Sequence, residues 1–228
     1  MVGPHGLGLM LELDSSHVYR LDGRVIPGVT DTISALAPDW ERFVPESARQ
    51  RGTLVHALCA VMDGRDDLWP DDMAPGRERE LLPYCDAWAR FKQESGVVIL
   101  PDSIERRVFH PTHQYAGTID RVVEWNGLHW VLDIKTGSHD DSHELQVAAY
   151  REAYNAEVCA SRHAAGAIMV YLDDQGGYAV RDLPYTKLRT AFTTFLALRT
   201  VAVWRQDHGL TDDTPESWVP EEGDEPFE

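Results

Sequence analysis

The spacing of apolar and polar positions changes period along the chain, and those changes predict its elements. An apolar patch, "MVGPHGLGLMLELD", precedes "HVYRLDGRVIPGVTDTI", which reads as a hairpin with Asp22-Gly23 supplying the turn. A helix is expected from about Thr30 to a point before Pro38. In "PESARQRGTLVHALCAVMDG", Leu54, Leu58 and Val61 recur at helical spacing and Gly64 supplies a stop. The acidic, proline-containing "DGRDDLWPDDMAPG" reads as a loop, and "RERELLPYCDAWARFKQESG" as a second helix whose start Pro83 sets near itself. The period then shortens to two. One strand is expected up to Leu100, another over 104–109, and a hairpin over 117–137. "SHELQVAAYREAYNAE" predicts an amphipathic helix, the following segment a hairpin around Gly176-Gly177, and "YTKLRTAFTTFLALRTVAVWRQDHG" a long final helix. There are no internal repeats. This order predicts an α/β fold, a central mixed β-sheet flanked by α-helices with a helical N-terminal elaboration.

Length and composition narrow the class. The 228 residues, 43% of them hydrophobic, suit a single domain over 1–211 with a sizeable core. No run of 18 apolar residues occurs, so no membrane span is expected. The start lacks a basic n-region and a small-residue cleavage site, so no signal peptide is expected. Cys59, Cys85 and Cys159 are odd in number, widely spaced and without CxxC, which fits the reducing cytoplasm. A net charge of -17 argues against nucleic-acid binding by bulk attraction. Much of it sits in "DDTPESWVPEEGDEPFE", residues 212–228, with eight acidic residues and no basic one. That composition reads as a solvated, disordered tail; the alternative is a strand-mimicking or partner-binding segment.

Chemistry concentrates in "GTIDRVVEWNGLHWVLDIKTG". Asn126-Gly127 is a type I′ turn signal. Counting outward from it, Trp125 pairs with Leu128 and Arg121 with Leu132, which brings Asp120 opposite Asp133. Alternation puts Lys135 on the face of Asp133, roughly 7 Å further along. Opposed carboxylates destabilise a ladder unless a cation or a shared proton lies between them. Oxygen ligands on rigid strands suit a hard divalent ion such as Mg²⁺ or Mn²⁺. The plainer reading of Asp133-Ile134-Lys135 is a salt bridge at a strand end. Gln146 and Tyr150 are four apart, hence on one face of their helix.

"GTIDR", "LDIKTG" and "LQVAAY", in that order, with "RGTLVHAL" upstream and "YRLDGRVIPGVT" near the start, resemble the PD-(D/E)xK nuclease superfamily. The similarity is to its RecB-type and phage recombination exonuclease branch and runs from about residue 17 to 183. The resemblance implies a restriction-endonuclease-like core and a metal-dependent deoxyribonuclease, an exonuclease rather than an endonuclease, serving recombination or DNA processing. It implies metal ligation by Asp120, Asp133, the Ile134 carbonyl and His56, with Lys135 orienting or deprotonating water. Glu105 is where some relatives place an extra acidic ligand. Gln146 and Tyr150 would orient the site or contact DNA. Taken alone, His56 reads as a packed or surface helix histidine, Tyr150 equally as a core aromatic, and Glu105 equally as a solvated residue on the strand before the hairpin.

The cofactor expected is one or two Mg²⁺ or Mn²⁺ ions. Several relatives carry an iron–sulfur cluster on four cysteines; three cysteines in another arrangement predict none here. No GxxxxGK[ST] occurs, so a stand-alone nuclease is expected. Its partners would be DNA and a recombination or single-strand-binding protein, with no membrane. Arg49, Arg51, Arg106 and Arg107 are candidates to line a DNA channel; Arg121, on the opposite strand face from Asp120, is the weakest. The competing reading is a non-catalytic nuclease-fold protein that acts through protein contacts.

Overall fold

The computed structural model describes residues 10–14, 18–34, 36, 45–70, 73 and 76–209. The acidic stretch 212–228 lies outside them. A short strand β1 (Leu11–Leu13), inside what the sequence offered only as an apolar patch, joins the expected hairpin of β2 (Tyr19–Leu21) and β3 (Arg24–Ile26) in a three-stranded antiparallel sheet. Helix α1 (Val29–Ser34) follows, then α2 (Glu46–Met62) and α3 (Glu78–Ser95). Pro83 lies inside α3 instead of opening it. At the sixth residue the missing N–H forfeits one bond, to the Arg79 carbonyl, and the buried face of Leu81, Tyr84, Ala87, Trp88 and Phe91 carries the helix through it.

The strands that position the site are β4 (Val98–Ile99), β5 (Arg106–His110), β6 (Tyr115–Ile119), β7 (Arg121–Trp125), β8 (Leu128–Lys135), β9 (Ala164–Leu172) and β10 (Tyr178–Pro184). They form two sheets. The central one has five strands in the order β10-β9-β8-β7-β4, and β5 with β6 forms a separate pair. Strand β8 pairs antiparallel with β7 and parallel with β9, so the sheet is mixed as expected. Helix α4 (Ser142–Glu157) makes the crossover between the parallel strands, and α5 (Tyr185–Asp207) closes the chain.

Both faces of the central sheet are covered. Val122, Val131 and Met169 join Val147, Ala148 and Phe195 of α4 and α5 in one core; Val123, Leu132, Ile134 and Val170 join Val55, Trp88 and Phe91 of α2 and α3 in the other. Burial on both sides explains why β9 reads "AAGAIMVYL", with no polar alternation.

Candidate active site

Asn126 and Gly127 have φ of 53° and 74°, the left-handed pair that a type I′ turn requires. The turn fixes the β7–β8 register as counted, from Trp125↔Leu128 to Arg121↔Leu132. One expectation needs correction. The arm 117–125 is not one strand: β6 pairs with β5, β7 pairs with β8, and Asp120 sits at the switch between the two sheets. The ladder ends one residue short of it. Freed from backbone pairing with β8, Asp120 meets that strand through its side chain, where Oδ2 accepts the Ile134 N–H at 2.7 Å.

Glu105 also departs from expectation. It precedes β5 instead of lying within a strand, in a left-handed conformation with φ 51° that is strained for a side chain of this kind. Its N–H donates to the Asp120 carbonyl at 2.9 Å. Its carboxylate meets Arg121 Nη1 at 3.2 Å.

The remaining groups come from α2, β8 and α4. From α2, His56 Nδ1 lies 3.3 Å from Asp120 Oδ1. On β8, Asp133 and Lys135 share a face, and Lys135 Nζ stands 2.8 Å from Asp133 Oδ2. That buried oxygen receives no well-aligned hydrogen bond among the described residues. Lys135 Nζ also donates to Gln146 Oε1 at 2.7 Å, and Gln146 Nε2 donates to the Tyr150 hydroxyl at 3.1 Å. The i, i+4 stripe on α4 thus holds the lysine through one amide.

Burial sets the electrostatics. It would raise the Asp120 carboxyl, but His56, Lys135 and the Ile134 N–H together hold it below the usual value. Asp133 is pushed up by burial and by the Asp120 charge, against the pull of Lys135. Burial and Asp120 raise Glu105 to about 7, against His56 and Arg121. Burial would lower His56, but Asp120, by charge and hydrogen bond, and Glu105 raise it to about 9. Asp120 and Glu105 thus favour the protonated form of the imidazole.

His56, Glu105 and Asp120 each offer one ligand atom, all within 4.8 Å of one another. Two carboxylates and an imidazole fit a small divalent cation, which would replace the proton on His56. Asp133 Oδ2, beside Lys135 Nζ but without a well-aligned hydrogen bond, is a further oxygen of the same character. Ile134 contributes its N–H, through Asp120.

The sequence reading did not anticipate Asp63, nor the buried role of Arg121. Arg121, fully buried, donates from Nε to Asp63 Oδ2 at 2.7 Å and from Nη1 to Glu105 Oε1 at 3.2 Å. This removes it from any DNA channel. The signal was an arginine inside an apolar strand, which demands a buried partner. Nothing in the order of residues marked Asp63, at the end of α2, as that partner. Of the other candidate channel arginines, Arg106 pairs with Glu157 at 3.2 Å and Arg49 with Glu46 at 2.8 Å, while Arg107 is exposed.

Residues 34–207 match the model of the PD-(D/E)XK nuclease superfamily, so the chain belongs to that superfamily. No protein of curated function matches it in sequence. Among solved structures it is similar to an alkaline exonuclease, LHK-Exo, from Laribacter hongkongensis, at 13% identity and a TM-score of 0.36, over 78% of this chain and 92% of that one. The same exonuclease in complex with dAMP matches at 16% identity and TM-score 0.29, over 72% and 98%. The protein SSO0001 matches at 15% identity and TM-score 0.33, over 77% and 74%. No helix among the described residues is long and apolar enough to cross a membrane.

Proposed function

We propose that this nuclease-family chain is a divalent-metal-dependent deoxyribonuclease of the RecB-type branch, acting as an exonuclease in DNA processing. The observation that carries the reading is the convergence of His56, Glu105 and Asp120 within 4.8 Å, beside the Asp133–Lys135–Gln146 chain. His56, Glu105, Asp120 and Asp133 would hold Mg²⁺ or Mn²⁺. When bound, the cation supplies charge neutralisation at the scissile phosphate and makes water a better nucleophile.

The protein side chains do the rest. Lys135 has one carboxylate and one amide oxygen within 2.8 Å, so its ammonium is held in place before substrate arrives. A preorganised cation there orients the attacking water and stabilises the negative charge that develops on the phosphoryl oxygens. Gln146 fixes Lys135, and Tyr150 fixes Gln146. Asp120 stays ionised and Ile134 N–H fixes its rotamer, so its second oxygen, 3.3 Å from His56 Nδ1, is turned toward the place the metal would take.

The test uses purified protein with linear and circular DNA in Mg²⁺, Mn²⁺ or EDTA, beside Lys135→Ala. Linear DNA is expected to be degraded with either metal and spared in EDTA. Lys135→Ala should slow cleavage by about 100-fold or more. Cleavage that survives EDTA, or a fully active Lys135→Ala, overturns the mechanism. Inertness toward all DNA with both metals favours a non-catalytic protein instead.

A further inference from the structure

The buried network behind the site has a geometry that stability alone does not require. Asp63 ends α2 with a fully buried carboxylate. It accepts Trp88 Nε1 at 3.1 Å, pairs with Lys92 and takes Arg121 Nε at 2.7 Å. Arg121 spans from there to the site. Its Nη1 donates to the Asp120 carbonyl at 2.5 Å and to Glu105 Oε1 at 3.2 Å. The Asp120 carbonyl also accepts the Glu105 N–H, so one peptide oxygen ties together the arginine, the acid and the sheet switch. A second arginine, Arg65, donates to the Ile104 carbonyl at 3.0 Å, just before the left-handed residue. Glu105 would otherwise relax out of that conformation and into solvent.

We propose that Arg121, anchored by Asp63, is a positioning residue for the cation site, holding strained Glu105 in place as a ligand beside His56 and Asp120. The inference rests on the metal-dependent reading above. The guanidinium spans the two: Nε is fixed on Asp63 while Nη1 reaches the Asp120 carbonyl and Glu105 together, which a lysine ammonium cannot reproduce. It presents one Glu105 oxygen to itself and leaves the other for the metal. Partners at this remove from a metal typically change affinity by about 10- to 100-fold.

Calorimetric titration of the full chain with Mn²⁺ tests this, using Asp63→Asn, Arg121→Lys, Glu105→Ala, and Asp63→Asn combined with Glu105→Ala. Each single variant is expected to weaken Mn²⁺ binding by about 10-fold. The double variant should bind no more weakly than Glu105→Ala alone, because Asp63 acts through Glu105. A purely structural role would make the losses multiply, or leave Mn²⁺ affinity unchanged while lowering the melting temperature; either result overturns the inference. Arg121→Lys keeps a counter-charge for Asp63, so it reports even if Asp63→Asn does not fold. Wild-type protein that binds no Mn²⁺ would sink the metal reading and this inference with it. Wild-type binding matched by every variant would sink this inference alone.

Discussion

At the scale of single residues, Gly117 and Tyr150 are fitted to each other. A Cβ on Gly117 would fall 2.5 Å from Cε1 and 2.9 Å from Cδ1 of the Tyr150 ring, and 3.2 Å from Val29. Tyr150 is packed in the core and cannot retreat without moving the hydroxyl that Gln146 holds. Gly117→Ala is therefore expected to destabilise the protein by about 1–3 kcal/mol in urea unfolding. It should also lower nuclease activity, since the displaced ring carries the support of Lys135. Tyr150→Phe keeps the ring and removes one hydrogen bond, so its stability should change by only about 1 kcal/mol, with the larger effect on turnover. A Gly117→Ala variant as stable as wild type would show that the ring has room to move.

Elements respond to pH through a different group. His110 closes β5, where its Nδ1 accepts the His113 N–H at 3.2 Å and its ring faces those of His113, Tyr115 and Phe192. Burial, with His113 second, lowers it to about 4. The unfolded chain, with histidine near 6.5, then binds the proton more readily than the fold does. Stability is thus present above pH 6.5 and falls as pH drops from there toward 4. Urea midpoints at pH 7, 5.5 and 4.5 should decline in wild type and decline less in His110→Phe; parallel declines would remove His110 as the cause.

Elements were also what the sequence rendered most legibly. The helical periods and the Asn126-Gly127 turn gave α2, α4, α5 and the β7–β8 register, because local geometry decides each of them. The switch at Asp120 was not legible. A strand that leaves one sheet for another keeps the same alternation, so "GTIDRVVEW" looks continuous. Glu105 was named as a candidate ligand, but its left-handed backbone was hidden for a related reason, since that conformation is tied to Asp120 and Arg121, fifteen residues or more away.

The whole molecule carries a net charge of -17, which opposes the approach of DNA. Eight of its acidic residues fall within 212–228. A chain ending at Thr211, made in the Lys135→Ala background with EDTA present, should bind a labelled linear duplex more tightly at low salt. The gain should vanish by about 0.5 M NaCl, where screening shortens to a few ångströms. Equal anisotropy curves at low salt would show that this charge does not reach the DNA. The parallel β8–β9 pair has a further consequence, for synthesis and refolding. Every residue assigned to the site lies before residue 151, yet Lys135 and Asp133 pair across the ladder with Tyr171 and Met169 of β9. Pairing of that kind is distant in sequence and slow to form. A ribosome-bound chain that already contains every residue proposed for the site still lacks the strand that holds two of them. Recovery of cleavage after refolding should accordingly trail the return of helical signal, and a nascent chain should stay silent until β9 has been made.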